Sequence, residues 1–343
     1  METLVRHLAV MGTAFALTVS APTRERALAA SEAAVRAVEA AESLLSTWRD
    51  DTPLARLNGA APGERVPVTP KLFALLKSVF RWEERTGGVF EPAVAPLVKA
   101  WGLRTGGRIP NAEELLRART AADARLFIFE ESSLSVSRRD ALAGIDEGAW
   151  GKGWALDEAG AELRAAGVTS FVLDLGGQVL VSGDETPVAV AHPRDRARTS
   201  ATIRLRDASA STSGNSERGF VVNGRRVGHL LDPRTGEPAP DFGSVTVVAP
   251  DGLTADVLST AFFVLGPDEG LALSERLRAA GTQNEVLFFF EGGEGQALRV
   301  SMSPGMTRLV SLPPSEELAG GGAAPLSLSS LSLSKTSSEG AHK

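Results

Sequence analysis

A strand–turn–strand pattern at residues 168–183 constrains the fold of this chain more than any other segment. Its sequence, VTSFVLDLGGQVLVSG, places two apolar runs rich in Val, Leu and Phe on either side of a Gly-Gly pair. Such residues favour strands, and adjacent glycines supply the positive φ angles of a tight turn. The segment therefore predicts two paired strands. It does not match the GxGxxG motif, so we do not interpret it as a dinucleotide-binding loop.

Apolar residues at helical spacing predict helices around this hairpin, and alternating runs predict further strands. Residues 70–86 are one example, since a proline opens the segment and two glycines follow it. Helices are predicted over residues 24–45, 70–86, 154–166, 254–265 and 268–279, with a loop or short helix over 46–59 and short helical pieces over 88–102. Strands are predicted over residues 8–20, 188–191, 201–205, 219–222, 244–248, 284–290 and 297–302, with a hairpin over 125–138.

Composition excludes several classes of function. The 343 residues are 43% hydrophobic and 23% charged, which is typical of a globular protein with a sizeable core. The net charge of -6 gives no reason to expect nucleic acid as a partner. Because the chain contains no cysteine, disulfides, thiolate metal sites and a cysteine nucleophile are excluded.

The two ends of the chain differ from its middle. Residues 1–22 are apolar but interrupted by Arg6 and His7, so we interpret them as a strand and not as an export signal. With no lipid-modified cysteine either, we expect a cytoplasmic protein if the N-terminus is complete. Residues 313–343 are rich in Gly, Ser and Leu, and we expect this tail to be disordered.

His229 is the first candidate for chemistry. It opens the segment HLLDPRTG, in which the Asp-Pro pair predicts a turn. A lone histidine is more often structural, but Asp232 and Arg234 could orient this one or bind an anion. A structural and a catalytic interpretation of His229 both remain open on this pattern.

Asp256 and Thr260 form the second candidate. They stand four residues apart in a predicted helix, so their side chains share a face. An acidic residue favoured by the helix dipole and a Thr bonded back to a carbonyl would explain the pair without function. The alternative is an oxygen site for Mg²⁺, which prefers carboxylate, hydroxyl, carbonyl and phosphate oxygens.

A glycine-rich entry to a helix is the third candidate. The segment GIDEGAWGKGWALDEAG places Asp146 and Lys152 where backbone N–H groups and the positive end of a helix suit a phosphate or carboxylate. The spacing of a Walker motif is absent. A structural turn with a solvated lysine is the alternative interpretation.

Read in order, these segments resemble the ApbE family, the FAD:protein FMN transferases. The most specific matches are H-x-x-D-P-x-T-G, present as HLLDPRTG from His229, and A-D-x-x-[SD]-T, present as ADVLST up to Thr260. MGT from Met11 and KG from Lys152 also match, and the resemblance covers about residues 8–300.

The resemblance implies an α+β fold, with a single ApbE-like domain of two closely packed lobes, mixed sheets and flanking helices over residues 1–312. It implies Mg²⁺-dependent cleavage of FAD, in which FMN passes to a Thr or Ser hydroxyl of an acceptor protein and AMP is released. FAD hydrolysis to FMN and AMP, FAD binding without turnover, and a scaffold without flavin remain alternatives. The family's acceptor motif, D-x-x-[ST]-G-A-[ST]-[ST], does not occur here, so we do not expect self-modification.

The resemblance also implies roles for individual residues. His229 is the expected base or phosphate-contacting acid, supported by Asp232. The expected metal ligands are the side chains of Asp256, Ser259 and Thr260 and the backbone carbonyl of Ala149. The expected FAD contacts are Met11, Trp48, Val89, Phe90, Glu91, Asp146, Lys152 and Leu231, with Lys152 near phosphate.

Three positions depart from the family's pattern. Glu91 replaces an aspartate, Trp150-Gly151 replaces Ile-Ala, and Asn215-Ser216 stands where an aromatic residue is common. The longer carboxylate and the bulky ring are expected to change details of the substrate pocket.

Overall fold

The computed structural model describes residues 1–215, 219–222, 224–290 and 298–313. The tail for which we predict disorder lies, from residue 314 onward, outside the described residues. The helices are α1 (Arg24–Leu45), α2 (Pro53–Gly59), α3 (Pro70–Thr86), α4 (Ala95–Ala100), α5 (Ala112–Ala121), α6 (Gly151–Ala165) and α7 (Gly252–Ala279). The strands are β1 (Glu2–Val10), β2 (Thr13–Ala21), β3 (Val66–Pro67), β4 (Phe127–Glu130), β5 (Ser135–Arg138), β6 (Ser170–Leu175), β7 (Gln178–Ser182), β8 (Thr186–His192), β9 (Asp195–Leu205), β10 (Ala208–Gly214), β11 (Gly219–Val222), β12 (Arg225–Gly228), β13 (Gly243–Ala249), β14 (Glu285–Phe290), β15 (Arg299–Met302) and β16 (Val310–Ser311).

An eight-stranded sheet organises the molecule and confirms the α+β class. Its strand order is β1-β2-β6-β7-β10-β13-β14-β15, and each neighbouring pair is antiparallel. Smaller sheets have the orders β11-β12, β16-β9-β8 and β3-β5-β4. Within the described residues, the parallel component of the expected mixed sheets is limited to an isolated bridge between Val94 and Gly144.

Two hairpins begin this sheet. The hairpin predicted at residues 168–183 is confirmed as β6 and β7, joined at Gly176 and Gly177 with φ angles of 62° and 87°. The single strand predicted over residues 8–20 is wrong, because β1 and β2 form a hairpin that turns at Met11 and Gly12. Met11 adopts a φ of 52°. Positive φ is uncommon for residues other than glycine, so the sequence does not predict a turn at this methionine.

Helices α1, α6 and α7 cover one face of the large sheet. Phe15, Leu17 and Val19 alternate along β2 and are buried beneath them in the main core. The predicted bounds of α1 and α3 are confirmed, and α3 ends at Gly87 in the left-handed conformation. Gly266, with φ 76° and ψ 179°, interrupts α7 between the two helices that we predict there.

The other face of β7, β10, β13 and β14 packs on β8 and β9 around a second apolar cluster that includes Val181, Ile203 and Phe289. A third cluster joins α4 and α5 to the β11–β12 hairpin through Leu97, Trp101 and Val227. None of the helices in the described ranges combines the length and the apolarity needed to cross a membrane.

Candidate active site

The crossing of α6 and α7 brings the sequence candidates on these two helices together. A Cβ atom added to Gly153 would lie 2.1 Å from the carbonyl oxygen of Gly252, and one added to Gly252 would lie 2.3 Å from that of Gly153. Real Cβ atoms do not approach backbone so closely, so glycine at both positions lets the two helix starts touch. The glycine pair thereby sets the distance between Lys152 and Asp256.

Asp256 is the buried carboxylate of this crossing. Only 3% of the residue is exposed, and its oxygens lie 3.2 and 3.3 Å from Nζ of Lys152. The backbone N–H of Gly153 donates to it at 3.0 Å, and the Ser211 hydroxyl lies 3.4 Å away. A buried carboxylate needs such partners to remain charged. Two predicted site residues, 104 positions apart, therefore form one ion pair.

Ser259 joins this site through a network of hydroxyl groups. Its Oγ donates to the carbonyl of Asp256 at 3.0 Å, and lies 2.8 Å from Oγ of Ser213 and 3.2 Å from Oγ of Ser211. These bonds tie α7 to β10, and Ser259 is fully buried. Thr260 is half-buried on the same helix.

Asp157 and Gln178 hold the start of α7. The Asp157 carboxylate accepts hydrogen bonds from the N–H groups of Gly252 at 2.6 Å and Leu253 at 2.8 Å. The Gln178 amide donates to the carbonyl of Gly252 at 2.8 Å. Burial raises the pKa of Asp157 to about 7, while the two N–H bonds oppose this shift. The α7 terminus is thus fixed from both α6 and β7.

A second polar cluster surrounds Asp146 in the loop before α6. The Arg104 guanidinium donates to Asp146 and to the hydroxyl and, at 2.8 Å, the carbonyl of Thr47. It also lies 3.7 Å from the Glu147 carboxylate, which accepts from the N–H of Thr47 at 3.1 Å and from the Thr47 hydroxyl. Burial, and then the neighbouring Asp146 charge, raise the pKa of Glu147.

Trp48 extends this cluster to the surface. The residue is 67% exposed, and the Arg104 guanidinium lies 4.8 Å from the centroid of its ring. A cation against an aromatic face is attracted to it. One face of the ring is therefore covered by arginine while much of the side chain remains open to a ligand.

The segment before α4 lies beside the same loop, since the N–H of Asp146 donates to the carbonyl of Pro92 at 3.0 Å. Val89 and Phe90 are buried in the main core. The Glu91 carboxylate accepts from the N–H groups of Ala93 at 2.7 Å and Ala124 at 3.1 Å. Burial raises its pKa to about 7. The carboxylate of Glu91, which is longer than the family's aspartate, thus binds backbone N–H groups on both sides of α4 and α5.

Trp150 and Met11 flank the start of α6. The Trp150 ring is fully buried, and its indole N–H donates to the carbonyl of Asp146 at 2.8 Å, so it supports the loop from within. The Met11 methyl group would lie 3.8 Å from a Cβ atom built on Gly151. Ala149, the residue before Trp150, is half-buried.

His229 is half-buried and directly follows β12. The preceding residue, Gly228, packs on Asn215 at the end of β10, where an added Cβ would meet the Asn215 amide at 2.5 Å. Strand β10 also carries Ser211 and Ser213, so the His229 segment adjoins the strand that contacts α7. Glycine at 228 is what permits this approach.

Asp232 closes the turn after His229. Its carboxylate accepts from the N–H of Arg234 at 2.9 Å and from the Arg234 guanidinium at 2.8 and 2.9 Å. Leu231 is buried and forms a β-bridge with Pro238. The expected support of His229 by Asp232 stays a prediction.

Sequence reasoning missed Arg104, Thr47, Glu147 and Asp157. Their partners are distant in sequence: 57 residues separate Arg104 from Thr47, and 100 separate Thr47 from Glu147. Only the acidic character of Asp-Glu at 146–147 hinted at a charged cluster.

The donor atoms near Asp256 agree in type with a magnesium site. Among the residues that the structure describes, no group of three or more His, Cys, Asp and Glu side chains could hold a metal. Mg²⁺ commonly binds through one or two carboxylates together with substrate phosphates and water. The site offers one buried carboxylate, that of Asp256, and its Oδ1 lies 3.2 Å from Nζ of Lys152.

Known proteins match this chain over the segments that carry the candidate site residues. A family model described as the ApbE family matches residues 11–283. The FAD:protein FMN transferase of Treponema pallidum is 35% identical over 267 residues, covering 71% of this chain and 74% of that protein. That of Klebsiella pneumoniae is 27% identical over 306 residues, covering 86% and 85%.

Solved structures agree in fold. The ApbE protein of Thermotoga maritima superposes with a TM-score of 0.80 at 28% identity, covering 90% of this chain and 99% of that one. The apo flavinyl transferase ApbE of Pseudomonas stutzeri gives 0.77 at 25% identity, covering 94% and 98%.

Proposed function

The chain belongs to the ApbE family, and from that premise we propose that it transfers FMN from FAD to a Thr or Ser hydroxyl of an acceptor protein. In this reaction the acceptor oxygen bonds to the FMN phosphorus, the pyrophosphate P–O bond breaks, and AMP leaves with its oxygen. The hydroxyl proton is released. The observation that carries the proposal is the Lys152–Asp256 pair at the α6–α7 crossing, within the segment that the family model matches.

Lys152 and the start of α6 suit the pyrophosphate. A phosphate near Nζ would compete with Asp256 for the ammonium group and would also be attracted by the positive end of the helix. Catalysis of phosphoryl transfer depends chiefly on positioning and on neutralising oxygen charge. In our proposal Lys152 supplies this charge, while the exposed face of Trp48 stacks on a planar ring of FAD.

Mg²⁺ is the proposed cofactor, with Asp256 as its charged ligand and Thr260, Ser259 and the Ala149 carbonyl as candidate neutral ligands. When bound, it would neutralise phosphate oxygens. The hydrogen bonds of Ser259 to Ser211, Ser213 and the Asp256 carbonyl favour a role for its hydroxyl in orienting α7. Asp256 remains the ligand on which metal binding should depend most.

His229 is the proposed acceptor of the hydroxyl proton. Imidazole can take up a proton near neutral pH, and a positioned base typically contributes 10²–10⁴-fold to the rate. Its position after β12, beside the end of β10, places this segment next to the strand that contacts α7. Asp232, fixed by Arg234, would support His229 from the turn that follows it.

The test is a transfer assay with FAD, Mg²⁺ and an acceptor peptide that contains Thr, read by mass spectrometry. We expect a peptide carrying FMN and an equal amount of AMP. Asp256→Asn should lower the rate by roughly 100-fold or more and change its dependence on Mg²⁺. His229→Ala should lower the rate of transfer more than the affinity for FAD.

Matched controls are Asp268→Asn, at an exposed position of α7, and His7→Ala, at an exposed position of β1. Both should transfer FMN as the wild type does. FAD binding without any modified peptide would refute transferase activity, and AMP formed in the absence of peptide would identify hydrolysis instead. An Asp256→Asn variant with full activity and unchanged Mg²⁺ dependence would refute the metal assignment.

A further inference from the structure

Arg104 occupies an unusual place because it joins three segments that are far apart in sequence. It comes from the loop after α4, and it contacts Thr47 and Trp48 before α2 and the Asp146–Glu147 pair before α6. Only 25% of its side chain is exposed. No motif of the sequence indicated it, and nothing in the proposed chemistry so far requires it.

The first consequence of this position concerns charge. Asp146 and Glu147 are adjacent acidic residues whose side chains are only 11% and 10% exposed. Two buried carboxylates so close together repel each other and disfavour ionisation. The Arg104 guanidinium donates to the first and lies 3.7 Å from the second, so it compensates both. A single planar cation therefore lies against both acidic side chains of the loop before α6.

The second consequence concerns Trp48. A tryptophan that is 67% exposed would be free to sample several rotamers unless something held it. The Arg104 guanidinium lies 4.8 Å from its ring centroid, and the same guanidinium is fixed at its other end by Thr47 and Asp146. Because the arginine is itself anchored, the ring is held in one orientation with its outer face open.

We propose that Arg104 is a positioning residue for FAD: it holds Trp48 and the Asp146 loop in the arrangement that receives a planar ring of the dinucleotide. The inference rests on the proposed function, in that FAD is taken as the ligand. Arg104 itself acts through Trp48 and Asp146. A preset aromatic surface lowers the cost of ordering side chains when the ligand binds.

Arg104→Lys tests this idea without removing the charge. A lysine can still compensate Asp146 and Glu147, but it lacks the planar group that stacks on the ring and bonds to Thr47 at the same time. We expect the dissociation constant for FAD to rise about tenfold in Arg104→Lys and about tenfold in Trp48→Ala, the size of one lost stacking contact. In the transfer assay the KM for FAD should rise by more than kcat falls.

The double variant decides between positioning and two unrelated effects. If Arg104 acts through Trp48, the combined variant should bind FAD about tenfold more weakly than wild type. Either single change already removes the stacking contact with FAD, so the second change causes no further loss of affinity. Independent effects would multiply to about 100-fold. Binding is measured by flavin fluorescence, with thermal unfolding as a check that each variant is folded.

Arg108→Lys is the matched control, since Arg108 lies in the same loop and pairs with Glu114 at the surface. It should bind FAD as the wild type does. Multiplicative losses in the double variant, or unchanged affinity in Arg104→Lys, would overturn the proposal. If the wild-type protein itself does not bind FAD, the proposed function fails instead, and the two results are thereby distinguished.

Discussion

The α6–α7 crossing carries predicted site residues and the β11–β12 hairpin leads directly to one, His229, but the two regions are fixed by different kinds of contact. At the crossing, backbone meets backbone at Gly153 and Gly252, and the partly buried ion pair of Lys152 and Asp256 lies beside this contact. The hairpin that leads to His229 is instead held by side chains, notably Phe220 on Gly107 and Val227 in the cluster with α4 and α5. An overlap with backbone forces the helices apart, whereas an overlap with a side chain can be relieved by movement of that side chain.

Gly153→Ala should disrupt the α6–α7 crossing and have the largest expected effect on stability. Its new methyl group would lie 2.1 Å from the Gly252 carbonyl oxygen and 2.9 Å from Cβ of Asp256, so the helices must separate. We expect a loss of about 3 kcal/mol or more in the free energy of unfolding, measured in urea. Gly59→Ala, where nothing lies within 4 Å of the added atom, should change stability little. Equal stabilities of the two variants would contradict this account.

Asp157→Asn tests the contacts at the α6–α7 crossing through the pH dependence of stability. Burial raises the folded-state pKa of Asp157 from its ordinary 3.8 to about 7, so the folded protein binds the proton more tightly than the unfolded chain. Its contribution to stability is therefore greatest at low pH, falls as pH rises from about 4 to about 7, and is constant above. The asparagine variant cannot ionise there and should lack this decline.

The measurement is the difference in unfolding free energy between wild type and Asp157→Asn across that range. It should change by a few kcal/mol in favour of the variant as pH rises, at roughly 1.4 kcal/mol per pKa unit. A difference that stays flat, or that moves in favour of the wild type, would show that Asp157 is ionised in the folded protein throughout.

Gly107→Ala probes the second region and should have the smallest effect on stability. The added atom would lie 2.1 Å from the Phe220 ring, which must move and displace the hairpin before His229. Gly106→Ala is a close control, because Gly106 and Gly107 have similar φ angles of 93° and 84°, while nothing lies near an added atom at 106. Backbone strain of about 1 kcal/mol is therefore common to both.

Only Gly107→Ala should reduce FMN transfer, by about 10-fold, since small displacements of a catalytic group are costly. The ratio of the two transfer rates at saturating FAD measures the effect of Phe220 alone. Equal rates in the two variants would mean that the Phe220 contact does not position His229.

The sequence predicted regular elements well where each carries its own signal. Helix α3 has Pro70 at its start and Gly87 at its end, and both are used as expected. Strand β10 was missed because its residues, ASASTSG, are small and polar, and only the neighbouring strands make them a strand. The turn at Met11 was missed because positive φ there is imposed by the pairing of β1 with β2.

What the sequence by itself determined is the family and the identity of the polar residues on α6 and α7, since motifs are local patterns with fixed spacing. The tertiary structure alone decided how those residues are held. Glycines 99 positions apart must touch before Lys152 can reach Asp256, and Arg104 must meet segments 57 and 42 positions away. Such contacts depend on how the helices and loops pack against one sheet, and no local spacing encodes that packing.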